Sequence, residues 1–380
     1  MSLARFSVRS SPSGFLRVSP FFPSLVLGFL FVVPDLGAQT SVRILDYNIH
    51  RDIGGSDSNT GSQLSLAKVV NYLHPDVWTI NELGGNSTAF NAITAHDLLV
   101  AFIRADLTFF GPNPQEGRDF YVYVGAINDG FIANAIVSRY PMLSSQTYSD
   151  AGGGSPALRG MAQAVVDLPG TNVDLAAFTA HLKASNASSD AAKRQAEAHA
   201  DAANVSAWMS SHSGGAVVMT GDWNEDLEIG ATANWTGHKI GDSLPTTGEA
   251  YEPATLMLSP GLTDANPLSV RGNHNTIDST SPNSRFDYLG YAGPAFALQG
   301  AMVFDTKQYT TSELAALNAA FGAGFVAGDS ANASDHLPVF AVFQVIPEAG
   351  NASLLLVGMG LVGLRRGRSV AIGRITLWRE

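Results

Sequence analysis

Four short polar islands interrupt apolar stretches of this chain: Tyr47-Asn48-Ile49, Asn81-Glu82-Leu83, Gly221-Asp222-Trp223-Asn224 and Ser334-Asp335-His336. Each lies at the end of, or just before, a run that reads as a buried strand. A carboxylate, amide or imidazole on such a strand is costly unless it is paired or metal-bound. Four interruptions of complementary chemistry point to one site assembled from distant segments. Carboxylate and amide oxygens suit a hard divalent cation such as Mg2+ or Mn2+. An imidazole moves a proton near neutral pH, and a partner carboxylate fixes which nitrogen carries it.

Further segments supply matching groups: Asn134 to Arg139, the lone Arg159, Thr179-Ala180-His181, and Ser284-Arg285-Phe286-Asp287. An arginine offers a planar, permanently charged fork for a phosphate. Each residue also has a purely structural reading. Asp222 could cap a turn, Asp287 could pair with Arg285, and Arg159 could lie on the surface. Asp46, His50 and His274 read as local loop or surface residues.

These residues must be positioned by strands expected over Val42–Tyr47, Asp76–Ile80, Phe120–Ala126, Asn134–Ser138, Ala162–Leu168, Val173–Thr179, Ala216–Thr220, Arg285–Leu289 and Val339–Val345. Helices are expected at about 62–74, 189–211 and 311–321, the last opened by a capping box at Thr310 and Glu313. Gly/Ser/Asn/Pro clusters at 54–61, 111–118, 150–156, 184–189, 230–249 and 269–284 read as loops. Many strands and few helices imply an αβ sandwich, two packed sheets with helices outside. The 380 residues, 45% hydrophobic and 14% charged, suffice for one large core. With no cysteine, disulfides and thiolate zinc or iron–sulfur sites are excluded. The net charge of −11 argues against a broad basic nucleic-acid footprint.

Taken in chain order over residues 41–345, the islands resemble those of the endonuclease/exonuclease/phosphatase superfamily of metal-dependent phosphoesterases. The resemblance implies a four-layered αβ sandwich of two mixed β-sheets flanked by helices. It implies Glu82 as the principal metal carboxylate, with Asn48 and Asp335 completing the shell around Mg2+ (or Mn2+). Asp222 would activate the attacking water and Asn224 would position it. His336, held by Asp287, would donate to a phosphate oxygen, and His181 and Arg159 would grip the phosphoryl group. Whether one or two ions act stays open. The chain departs from many nuclease members at Phe131, which follows Gly130 where they carry a tyrosine; Tyr121 and Tyr123 are the candidate replacements.

The two ends read as addresses. Arg5, Arg9 and Arg17 precede the apolar run Phe21–Val33 and the small residues Gly37 and Ala38, the pattern of a signal peptide over 1–38. At the other end, Pro347-Glu348-Ala349, an apolar stretch and Arg365, Arg366 and Arg368 resemble a Pro-Glu-Pro sorting tag over 346–368, followed by a 369–380 tail. A membrane anchor or a packed helix are the other readings there. The expectation is an exported monomeric hydrolase of phosphodiesters, extracellular nucleic acid among them, handled by sorting machinery at its C-terminus. A phospholipid or inositol-phosphate phosphoesterase, or a non-catalytic surface-displayed binding protein on the same fold, are the alternatives.

Overall fold

Side-chain alternation along the strands decides the architecture. On the first strand Leu45 and Tyr47 face one apolar cluster while Val42 and Ile44 face another. A strand apolar on both sides must be covered on both sides. The computed structural model describes residues 40–85, 90–109, 120–126, 128–150, 156–169, 171–185, 187–225, 253–277, 284–294 and 296–346. The signal-peptide and sorting-tag segments, and the loops expected at 111–118 and 230–249, lie outside these residues.

The strands are β1 (Thr40–Asn48), β2 (Val77–Gly84), β3 (Tyr121–Val124), β4 (Ile132–Ser138), β5 (Met142–Asp150), β6 (Pro156–Asp167), β7 (Asp174–Thr179), β8 (Ala216–Asp222), β9 (Thr263–Asp264), β10 (Asp287–Ala292), β11 (Phe296–Val303) and β12 (Val339–Val345). The helices are α1 (Thr60–Leu73), α2 (Ala92–Asp106), α3 (Ser188–Ser211), α4 (Pro253–Leu258), α5 (Thr311–Phe321) and α6 (Asp329–Ala333). They build two mixed six-stranded sheets, ordered β11-β12-β1-β2-β4-β3 and β5-β6-β7-β8-β10-β9. Trp78, Ile80 and Val137 of the first sheet pack with Leu66 and Val70 of α1 and Leu99 of α2. Phe178 and Met219 of the second pack with Val205 and Trp208 of α3 and Met257 of α4. Between the sheets, Val42, Ile44, Val77 and Ile136 meet Leu175, Ala177, Val218 and Leu289. The result is the expected four-layered sandwich.

The sequence reading anticipates nine of these strands and three helices, and α5 begins with the expected capping box at Thr310. It does not anticipate α2, α4, α6, β5, β9 or β11. β5 is an edge strand whose Ser144, Ser145 and Gln146 are exposed or partly so, so no apolar alternation marks it. α2 does carry a buried stripe of Ala95, Leu99, Phe102 and Ile103 at helical spacing.

One carboxylate ties the first sheet together at the end remote from the polar islands. Asp76 is 2% exposed. It accepts from the Arg43 backbone N–H at 2.9 Å, from Arg43 Nε at 3.3 Å and from Arg139 Nη1 at 2.8 Å. Asp76→Ala leaves a buried amide and two cations without their acceptor. We expect a loss of about 2–4 kcal/mol, read as a lowered urea midpoint at unchanged m-value, below the cost of a fully buried pair because both arginines are one-third exposed.

Candidate active site

The face that is apolar between the sheets turns polar at one end. Two residues beyond Ile44 stand Asp46 and then Asn48; beyond Val77 stand Thr79 and Asn81; beyond Ala177 stand Thr179 and His181; beyond Val218 stand Thr220 and Asp222. The period of two therefore delivers all of them to the same inter-sheet layer. Asn81 links the layers. Its Oδ1 accepts from the Asp222 N–H at 2.9 Å, while its Nδ2 donates to Asn134 Oδ1 at 2.8 Å and Thr179 Oγ1 at 3.1 Å. Below it Thr220 donates to Thr79 Oγ1 at 2.8 Å, which donates to Asp46 Oδ1 at 2.9 Å.

Glu82 breaks the alternation and gains its position by doing so. The β2–β4 register shifts between Ile80 and Leu83, and Glu82 holds a left-handed φ of 58°. This extra residue leaves Leu83 in the helix-side core and turns the carboxylate towards the site. Left-handed backbone at a non-glycine residue costs of order 1 kcal/mol and persists where the surroundings enforce it. On the opposite strand Gly221 has φ of 129°, and a Cβ there would collide with the Ala180 carbonyl oxygen, so the close approach of β7 and β8 requires glycine.

Asp222 sits at the centre, 2% exposed. Its Oδ1 accepts from the Asn224 N–H at 2.9 Å, an Asx turn that fixes the carboxylate plane. Its Oδ2 lies 3.1 Å from Asn48 Nδ2, 3.3 Å from His181 Nε2 and 3.6 Å from His336 Nε2. Glu82 Oε1 is 3.2 Å from Asn48 Nδ2 and 3.8 Å from His181 Nε2. His336 Nδ1 is 2.8 Å from Asp287 Oδ2, and Asp287 is paired with Asp222 in the β10–β8 register. Ser334 donates to the Asn48 carbonyl at 2.7 Å and accepts from the His336 N–H at 3.1 Å, holding the two islands together.

Seven of the nine expected residues thus meet: Asn48, Glu82, His181, Asp222, Asn224, Asp287 and His336. Two are placed otherwise. The Asp335 side chain is 57% exposed, and its one described ion-pair contact is with His50 Nδ1 at 3.7 Å. Its neighbour His336 is buried, and the bend between α6 and β12 leaves Asp335 exposed. Arg159 does not present its fork to the cleft. Nε and Nη2 donate to the carbonyls of His181 and Leu182 at 3.2 and 2.8 Å, and Nη1 to Asp129 at 3.3 Å. It positions the strand end that carries His181. Asn48 also acts differently than expected: its Oδ1 accepts from the His50 N–H at 3.1 Å, which aims its Nδ2 at the carboxylates. Of the candidate tyrosines, Tyr123 bonds Thr147 at 2.6 Å, and Phe131 is 58% exposed.

Sequence reasoning missed Asp46 and the Asn81–Asn134–Thr179 clamp. Asp46 is not a surface residue but fully buried beneath the site. Burial above all, and then the Asp287 charge, pushes its carboxyl well above the usual range. The signal was present: Asp46, Thr79 and Asn81 fall on the apolar parity of their strands.

The donor set fits a divalent cation. Glu82, His181 and Asp222 each offer an atom within 4.8 Å of the others'. No Lys or Arg among the described residues pairs with Glu82 or Asp222, so their negative charge is left for an ion. Asp222, Asp287 and His336 form a second such group, but there His336 Nδ1 is committed to Asp287.

The model of the Endonuclease/Exonuclease/phosphatase family matches residues 47–336. The chain belongs to this family. It is accordingly a metal-dependent phosphoester hydrolase, and the acidic and histidine cluster supplies the groups that such chemistry uses. No curated protein matches the chain by sequence. Among solved structures, an endonuclease/exonuclease/phosphatase from Beutenbergia cavernae is similar at 18% identity and TM-score 0.50, over 80% of this chain and 72% of that one. A family protein from Bacteroides thetaiotaomicron is 16% identical with TM-score 0.48, over 81% and 98%. Truncated Caenorhabditis elegans TDP2 is 14% identical with TM-score 0.47, over 80% and 97%.

The His336–Asp287 pair sets the electrostatics of one side. Burial works against a charged imidazole, but the Asp287 and Asp222 carboxylates outweigh it and raise His336 to about 10. His336 is therefore an imidazolium at neutral pH, with Nδ1–H on Asp287 and Nε2–H towards the cleft. Replacing Asp287 by Asn removes the larger of these anions. In metal-free protein we expect the His336 C2–H resonance to titrate lower by about 1–3 units in Asp287→Asn; an unmoved titration would remove Asp287 as the cause.

Proposed function

We propose that the protein hydrolyses phosphodiester bonds, in nucleic acid or in a small phosphodiester, by direct attack of water. The supporting observation is the single Asp222 carboxylate flanked by an acidic ion-binding side, Glu82 with His181, and by the His336–Asp287 pair. A divalent cation bound at Glu82 would supply Lewis acidity that offsets charge on the phosphoryl and leaving oxygens. Asp222 takes a proton from the attacking water, its plane held by the Asn224 N–H. Asn48 donates to Glu82 and Asp222 and keeps the carboxylates apart by a fixed bridge. His336 gives its Nε2 proton to the oxygen that leaves, and Asp287 keeps the imidazole in register throughout. Of water's atoms, the oxygen and one proton stay on phosphorus and the other proton ends on Asp222.

Export and surface location are proposed on the N-terminal basic-then-apolar pattern and the C-terminal run ending in arginines.

The test uses a generic phosphodiester with Mg2+ or Mn2+, and EDTA as control. Asp222→Ala and His336→Ala should each lower kcat by about 10²–10⁴, the usual loss for a general base or acid, measured at a temperature where circular dichroism shows the variant folded. Turnover equal to wild type in either variant would refute the assignment. A panel of DNA, RNA, sphingomyelin and inositol phosphates then separates substrate classes.

A further inference from the structure

We propose that Phe131 is a specificity-determining residue: its ring stacks on an unpaired nucleobase beside the scissile phosphate, so the substrate is a single-stranded, base-bearing phosphodiester held by stacking rather than by a basic surface. The inference rests on the reading of this cleft as the site of a phosphodiester hydrolase.

Three observations carry it. The first is place. At the site end of the first sheet, Ile132 pairs with Gly84 and Ala133 with Leu83, next to the bulge that presents Glu82. Phe131 immediately precedes β4, so it stands at the rim on the Glu82 side. Arg159 ties its turn to the other side. Nη1 lies 3.3 Å from Asp129 Oδ2, while Nε and Nη2 hold the carbonyls of His181 and Leu182. The turn before Phe131 and the strand end that carries His181 share one guanidinium.

The second is presentation. Phe131 is 58% exposed and belongs to none of the three apolar clusters. A single exposed apolar side chain is ordinary on a surface. This one stands on backbone that is fastened throughout. Asn128 Oδ1 accepts from the Gly130 N–H at 2.8 Å, and Asp129 Oδ1 from the N–H groups of Phe131 and Ile132 at 3.0 and 3.1 Å. The Gly130 carbonyl accepts from the Phe90 N–H at 2.8 Å. An aromatic side chain on fixed backbone gives up little freedom when a flat partner settles on it.

The third is charge. Arg159, the cation that sequence assigns to the phosphoryl group, is taken up by two carbonyls and Asp129, and the chain carries a net charge of −11. A polyanion gains little from counterion release on such a surface. Stacking of a base on an aromatic face needs no cation and tolerates every base. Bases inside a duplex are already covered on both faces, which selects a single strand. A lipid surface fits less well, because the ring shares its turn with Asn128 and Asp129 and the net charge repels anionic headgroups.

The experiment measures steady-state kinetics of the full chain with Mg2+ or Mn2+. It compares a single-stranded oligonucleotide, the same sugar–phosphate chain without bases, and sphingomyelin vesicles. We expect kcat/KM at least about tenfold higher for the oligonucleotide than for the base-free chain. In Phe131→Ala and in Phe131→Leu, which keeps the bulk but not the flat face, that ratio should fall about fivefold or more, mainly through KM. Phe131→Trp should keep it. The oligonucleotide KM should change by less than about threefold between roughly 50 and 200 mM salt. A wild-type ratio near one, a ratio that survives Phe131→Leu or is lost in Phe131→Trp, or a KM that climbs steeply with salt overturns this inference and leaves the hydrolase reading intact. A preference for vesicles that is lost in Phe131→Ala assigns the ring to a lipid surface and overturns it equally. No turnover of a generic phosphodiester by wild type overturns both readings. The wild-type ratio and salt dependence need no variant, so an unstable one does not shelter the idea.

Discussion

One hydrogen bond across the two sheets holds the chemistry together: the Asp222 N–H to Asn81 Oδ1, at 2.9 Å. Asn81 is fully buried on the first sheet and Asp222 almost so on the second. Because the amide of Asn81 also grips Asn134 and Thr179, the last turn of β8 cannot slide relative to β2, β4 or β7. Every distance in the cleft inherits that constraint. A buried polar network is expensive unless fully satisfied, and then it specifies a single arrangement. Here the layer of Thr79 and Thr220 beneath it extends the network to Asp46 Oδ1, and burial raises that carboxyl well above its usual range.

Above this floor the geometry divides labour around one oxygen. Asp222 Oδ2 is approached by Asn48, His181 and His336, while Oδ1 is immobilised by its own turn. Glu82 and Asp222, unpaired with Lys or Arg among the described residues, offer a cation their charge on one side; an imidazolium on the other is sustained by Asp287 and Asp222. Opposite charges that would neutralise each other in solution are kept a few ångströms apart by the β-sheet registers. This is electrostatic preorganisation in the ordinary sense: groups arranged before the substrate arrives, in a place from which water is largely excluded.

Much of this was legible in the sequence because polar residues stand out on strands whose remaining positions are apolar. The order of Asn48, Glu82, His181, Asp222, Asp287 and His336, and the two-sheet architecture, follow from that contrast and from the family resemblance. What escaped depends on direction. Asp335 adjoins His336, yet it lies in the bend between α6 and β12 with its side chain exposed, a direction that no spacing reveals. Arg159 has the right chemistry, but its guanidinium answers two local carbonyls that no spacing rule reveals. Asp46 looked peripheral because it begins an island, whereas the parity it shares with Val42 and Ile44 buries it. β5 and β9 lack an apolar pattern and exist through pairing with β6 and β10.

The left-handed backbone of Glu82 carries a lesson for anyone wishing to use this scaffold without its chemistry. Glycine is the one residue at ease with φ of 58°, so an exchange there removes the acidic side chain and relaxes the main chain together. An acidic group aimed at the cleft and conformational comfort pull against each other at that single bulge. The relief is offset by glycine's freedom in the unfolded chain and by loss of the bond from Asn48, so the bulge would stay near its present stability without its acidic group.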